Sequence, residues 1–126
     1  MCAMVWEGRY FKPHEFDSPD APGSGWEIKK ELVIKLDEIR DVVGRPLIIN
    51  SGFRTEDHNK KISGSVEKSA HTQGWAVDIK VSTSTERMEL VRWALVHGFT
   101  RIGVAKTFVH LDLDPDKTRN VMWLYS

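Results

Sequence analysis

One cysteine, Cys2, occurs in 126 residues, and it lies at the start of the chain. A disulfide framework and a thiolate zinc cluster are both excluded, so any metal must be held by nitrogen and oxygen ligands. An excess of either charge is lacking as well: 18 basic residues balance 18 acidic ones. A general nucleic-acid binder carries a basic surplus, so nucleic acid is not an expected partner. No apolar run approaches the roughly 20 residues of a membrane-spanning helix. The opening MCAMVWEGRYF has neither a basic start nor a long apolar stretch. No signal peptide is therefore expected, and the product stays cytoplasmic as synthesised unless something else releases it. Internal repeats and low-complexity tracts are missing too. What remains has the size of one domain and, at 40% hydrophobic residues, can bury a core without staples. A single domain over 1–126 is expected, with 1–26 as an N-terminal loop region and a monomer as the default state.

The patterning mixes helices and strands. Ile28, Leu32, Leu36, Ile39 and Val43 recur at helical spacing over 27–43, and Gly44 and Pro46 end that helix. PLIIN (46–50) reads as a strand. A short helix follows Thr55, which is placed to cap it with Glu56 and Asp57 in the first turn. A polar loop covers 63–74 and a strand 75–81. A second amphipathic helix spans 82–98, capped by Ser84 or Thr85 and closed by Gly98. RIGVA (101–105), FVHLDL (108–113) and VMWLY (121–125) are short strands joined by turns. Strands this close in sequence favour an α+β domain with a small antiparallel sheet flanked by helices.

Two strands carry ionisable residues where a purely structural strand would not. Side chains alternate faces along a strand. In FVHLDL, Val109, Leu111 and Leu113 form an apolar face, so His110 and Asp112 project together from the other. In WAVDI, Val77 and Ile79 face one way and Ala76 and Asp78 the other. If these strands are neighbours, Asp78 and His110 meet, and His71 in the preceding loop can reach them. Two histidines and a carboxylate with an open fourth position form a catalytic zinc arrangement. The residues alone leave blander readings open: His71 as a loop residue, Asp78 as a hydrogen-bonded cap, His110 and Asp112 as a solvated face. The acidic run HLDLDPD also suggests calcium. A calcium loop needs glycine at its sixth position and glutamate at its twelfth, and Lys117 and Trp123 stand there instead.

Three motifs occur together: SGFRT (51–55), then SAHTQGWAVDI (69–79), then FVHLDL. In order and type they resemble the M15 family of zinc D-Ala-D-Ala carboxypeptidases, whose middle motif S-x-H-x-x-G-x-A-x-D is met at Ser69, His71, Gly74, Ala76 and Asp78. The resemblance spans roughly 27–125, and the opening FKPHEFDSPDAPGSG is similar to compact, often phage-encoded members. It implies the α+β fold shared by those peptidases and the hedgehog signalling domain. It implies zinc held by His71, Asp78 and His110, with Arg54 binding or polarising the substrate beside the metal. Without the motif, Arg54 would read as a surface ion pair with Glu56 or Asp57.

The chain departs from the family at one point. Many members place a general base two or three residues before the last zinc histidine, where this chain has Phe108 and Thr107. Asp112 is the nearest carboxylate. It is expected either to act as the base or to hold a ligand histidine by hydrogen bond. The reading that follows is a zinc peptidase cleaving a peptide bond in peptidoglycan stem peptides or their precursors, as a carboxypeptidase or a wall-degrading endopeptidase, with Arg54 and Asp112 assisting. The alternative is a zinc-stabilised module without turnover, such as a phage tail component. A metal-free α+β domain ranks below both.

Overall fold

The computed structural model describes residues 5–62 and 65–125. Cys2, the start of the expected N-terminal loop region and residues 63 and 64 of the expected polar loop lie outside the described residues. Among the described residues three α-helices, α1 (Lys30–Val43), α2 (Glu56–Lys60) and α3 (Ser84–Val96), accompany five strands, β1 (Ile49–Ser51), β2 (Ala76–Lys80), β3 (Arg101–Val104), β4 (Phe108–Asp112) and β5 (Val121–Leu124). The strands form one sheet in the order β1-β2-β4-β3-β5. The α+β expectation holds, but the sheet is mixed. Three pairings are antiparallel, and β5 runs parallel to β3. The loop 113–120 reverses the chain after β4. Because β3 lies between β4 and β5, a strand antiparallel to β4 at that edge must run parallel to β3.

The helices cover one face of the sheet. Leu32, Leu36 and Ile39 of α1 and Leu90 and Ala94 of α3 cluster with Val77, Ile79, Ile102, Val109 and Leu111, all nearly fully buried. Each buried valine, leucine or isoleucine among them contributes about 1.5–3 kcal/mol over its exposed state. The period-two alternation of β2 and β4 thereby commits the opposite face to Asp78, His110 and Asp112. α1 ends where Gly44 enters the left-handed region at φ 74°, its N–H reaching the Arg40 carbonyl at 3.0 Å. Thr55 caps α2 as expected, its hydroxyl accepting from the His58 N–H. The cap of α3 is Thr83 rather than Ser84 or Thr85. Its extended backbone leaves the hydroxyl free to accept from the Glu86 N–H, while Ser84 and Thr85 already lie within the helix.

The N-terminal region is more than a loop on the surface. Phe16, at the end of the single helical turn Pro13–Phe16, and Phe11, just before that turn, are part of the core. Phe16 also sets the backbone of the SGFR motif: its carbonyl accepts from the Phe53 N–H at 2.9 Å. A side chain at Gly52 would lie 2.8 Å from the Phe16 Cα, so only glycine permits that approach. Among the described residues no helix is long and apolar enough to cross a membrane.

Candidate metal centre

Strand register brings the first two groups together. Asp78 on β2 lies directly opposite His110 on β4, and Ala76 lies opposite Asp112. The third group comes from the single turn Ala70–Gln73, where Ser69 caps the turn by accepting from the His71 N–H at 3.2 Å. Gly74 closes that turn at φ 77°, and a Cβ there would lie 2.3 Å from the Glu27 carbonyl oxygen. The motif glycine thus lets the chain turn tightly from His71 into β2 while passing against the backbone before α1.

His71, Asp78 and His110 are buried and present one ligand atom each within a single cluster. His110 Nδ1 lies 2.9 Å from Asp78 Oδ1, His71 Nε2 lies 3.3 Å from the same oxygen, and the two ring nitrogens are 3.2 Å apart. The outer nitrogens fix the tautomers. His71 Nδ1 is 2.8 Å from the Gly52 carbonyl, which can only accept, so the proton sits on Nδ1. His110 Nε2 is 2.6 Å from Asp112 Oδ2, and donates to that carboxylate. In the neutral rings both inner nitrogens therefore turn lone pairs toward a carboxylate oxygen, and the His110–Asp78 contact becomes a hydrogen bond only when His110 gains a second proton. An extra proton on His110 Nδ1 serves two of the three groups, whereas one dication serves all three. In a tetrahedral zinc site with ligands at about 2.0–2.2 Å, neighbouring donors stand about 3.3–3.6 Å apart, close to the spacing found. The donor set fits zinc.

The electrostatics agree with a site built around positive charge. Burial pushes the Asp78 carboxyl up, but hydrogen bonds shared with His110 and His71, and their charge, outweigh it and hold it well below the usual carboxylate range. Burial lowers His71, against the pull of Asp78, which keeps it neutral and able to ligate. Burial also acts to lower His110, yet its hydrogen bonds to Asp112 and Asp78 win and raise it.

Arg54 stands at the edge of the cluster. Nη2 reaches Asp78 Oδ2 at 3.3 Å, Nε reaches Ser51 Oγ at 3.1 Å and Nη1 reaches Asn59 Oδ1 at 3.3 Å. Its partners are therefore Ser51, Asn59 and Asp78, not the Glu56 or Asp57 of a surface ion pair. Asn59 in turn donates to the Val66 carbonyl at 2.9 Å, tying α2 to the adjoining loop. A guanidinium has five N–H donors, and these contacts engage three.

Asp112 is on the expected face but beyond His110. Oδ2 accepts from His110 Nε2, while Oδ1 accepts from Arg101 Nε at 2.8 Å and the Asp114 N–H at 3.1 Å. Its side chain is 1% exposed. Both oxygens are thus engaged on the side of the ring away from Asp78. His14 is exposed, and His97 bonds back to the Trp93 carbonyl at 2.8 Å; neither joins the cluster.

A cleft of about 430 Å³ opens above these groups, lined among others by Arg54, His71, Asp78, His110, Trp123 and Tyr125. Trp123 and Arg101 did not stand out in the sequence. Trp123 packs 5.3 Å from the His110 ring, centroid to centroid, over Gly103, where a Cβ would meet its indole at 2.6 Å. A signal for Arg101 did exist: once 101–105 and 108–113 are read as a hairpin, the register sets Arg101 opposite Asp112.

Two histidines and a carboxylate at the floor of an open cleft make up the donor set of catalytic zinc sites. A family model described as Peptidase M15 matches residues 9–112, and the chain belongs to the peptidase M15 family. The match takes in Arg54, His71, Asp78, Arg101, His110 and Asp112, while Trp123 and Tyr125 follow it. No curated protein matches the chain.

Proposed function

We propose that this chain is a zinc peptidase that hydrolyses a peptide bond in peptidoglycan stem peptides or their precursors. The observation that carries the reading is the convergence of three lone-pair donors, His71 Nε2, Asp78 Oδ1 and His110 Nδ1, at 2.9–3.3 Å from one another beside an arginine in a cleft. His71, Asp78 and His110 would hold the metal. Zinc bound there would supply Lewis acidity, polarising a carbonyl and making water a nucleophile near neutral pH. Arg54 contributes the uncommitted N–H groups of its guanidinium, which bind a substrate carboxylate or stabilise the negative charge developing on a carbonyl oxygen. Its bonds to Ser51, Asn59 and Asp78 hold it ready, so little order must be gained when substrate arrives. Asp112 orients His110 instead of acting as the base. Burial raises the pKa of the Tyr125 phenol, which therefore stays protonated at neutral pH and can donate a hydrogen bond into the cleft. Among the described residues, Arg54, Arg101 and Lys117 line the cleft with only Asp78 and Asp112 opposing them. With zinc added the balance is positive, which suits the carboxylates of stem peptides.

One observation favours the second reading, a zinc-stabilised module without turnover. The carboxylates lining the cleft, Asp78 and Asp112, are both engaged, which leaves neither free as a base among the described residues. Digestion of purified peptidoglycan with the zinc-loaded chain separates the two. Fragments identified by mass spectrometry, with new amino termini at one stem-peptide bond, support the peptidase and name the bond. Intact peptidoglycan and intact synthetic stem peptides after prolonged incubation would leave the binding module.

A further inference from the structure

We propose that Arg101 is a positioning residue for the metal centre: acting through Asp112, it holds His110 in the tautomer that turns Nδ1 inward as a bare ligand. The inference rests on the zinc reading above and adds a residue to it. Asp112 is one of the most deeply buried charged side chains described, at 1% exposure. A carboxylate so placed needs both compensation and satisfied lone pairs. Arg101 stands directly opposite it in the β3–β4 pairing and donates Nε to Oδ1 at 2.8 Å. With the Asp114 N–H on the same oxygen, this fixes the carboxylate plane and commits Oδ2 to His110 Nε2 at 2.6 Å. The proton on Nε2 is what leaves Nδ1 bare.

The guanidinium is itself anchored twice more. Nη1 donates to the Thr118 carbonyl at 2.6 Å, and the group lies 5.1 Å from the centroid of the Trp123 ring, which packs on His110 from the other side of the chain of contacts. A planar fork that serves a carboxylate with one N–H and a carbonyl with another is a task for arginine, since the lysine ammonium is a single point. Arg101 thus ties β3, the loop before β5 and the aromatic wall to one imidazole ring.

Competition against a chromogenic zinc chelator tests this on the full chain and its Arg101→Gln, Asp112→Asn and doubly substituted variants. Partners that orient a ligand histidine are worth about 10–100-fold in metal affinity. Arg101→Gln is expected to weaken zinc about 10-fold, and the double variant to bind no more weakly than Asp112→Asn alone, because Arg101 acts through Asp112. Nitrogen NMR of the histidine rings in the metal-free chain should show Nε2–H on His110 in the wild type and lose it in Arg101→Gln. Arg101→Lys keeps a cation beside Asp112 but loses the fork that also reaches the Thr118 carbonyl, so its zinc affinity should fall between those of the wild type and Asp112→Asn. Zinc affinity of Arg101→Gln within twofold of wild type, or independent, multiplying losses in the double variant, would overturn the proposal. If the glutamine variant does not fold, the lysine variant carries the test. It should weaken zinc less than Asp112→Asn does, and the reverse order overturns the proposal. A wild-type chain that takes up no zinc would remove the zinc reading itself, an outcome distinct from failure of the Arg101 role.

Discussion

Thermal unfolding with and without zinc puts a magnitude on the cluster. Consider Asp78→Asn, which keeps the shape of the side chain but removes the charge that His71 Nε2 and His110 Nδ1 both face. For the wild type, free zinc at a hundredfold excess over its Kd stabilises the folded state by about 2.7 kcal/mol. A chain of 126 residues has an unfolding entropy near 60 °C of about 0.26 kcal/mol/K, so each kcal/mol moves the midpoint by about 4 °C. The wild-type midpoint should therefore rise by about 10 °C on zinc addition and return on chelation. If the substitution weakens zinc a thousandfold, the same zinc concentration stabilises by less than about 0.1 kcal/mol, and the midpoint of Asp78→Asn should not move measurably. Differential scanning calorimetry of each variant against its own metal-free baseline separates loss of the metal from any change in the bare fold. An unmoved wild-type midpoint, or an equal rise in both proteins, would refute the reasoning; the second result would mean that zinc binds elsewhere.

Other outcomes follow from the same geometry. Asp78 and Asp112 both have carboxyl pKa values lowered by folding, against the opposing pull of burial, so the metal-free chain should gain stability from them above the unfolded carboxylate range and lose it as pH falls below about 4. Acid titration followed by circular dichroism should show that loss, and Asp112→Asn should flatten it. Gly103→Ala introduces a Cβ 2.6 Å from the Trp123 indole and 2.7 Å from the Tyr125 ring, which forces β5's aromatic wall to shift. Peptide hydrolysis should fall while zinc stoichiometry is kept, as read by elemental analysis beside the activity assay. Leu111→Ala empties a fully buried site between the sheet and the helices and should cost about 2–5 kcal/mol in urea unfolding, with the slope unchanged.

Strand alternation carried most of the site. It places Asp78 and His110 on the face away from the apolar core, and the motif spacing adds His71 from the turn before β2. Alternation names a face, but not the nitrogen of a ring that a neighbour will meet. His110 and Asp112 share a face, yet Asp112 meets Nε2 from outside while Asp78 and His71 face Nδ1. Only three-dimensional placement tells a carboxylate that could serve as a base from one that fixes a ligand. A related limit hid Trp123, whose place depends on strand order, whereas the pairing of Arg101 with Asp112 follows from the β3–β4 hairpin once that is read. A chain read in sequence gives no reason for β5 to lie beside β3 instead of β4. The N-terminal turns looked like loop because prolines and glycines dominate them. Phe11 and Phe16 are nonetheless core residues, a case of tertiary packing overriding local composition.

The most direct test of the metal centre is a crystal structure of the chain grown with zinc, with anomalous data collected on both sides of the zinc absorption edge. One zinc peak per chain is predicted, bounded by His71 Nε2, Asp78 Oδ1 and His110 Nδ1, with the Asp112–His110 hydrogen bond intact. A cluster without a zinc peak, or zinc bound through the outer nitrogen of either histidine, would contradict the account.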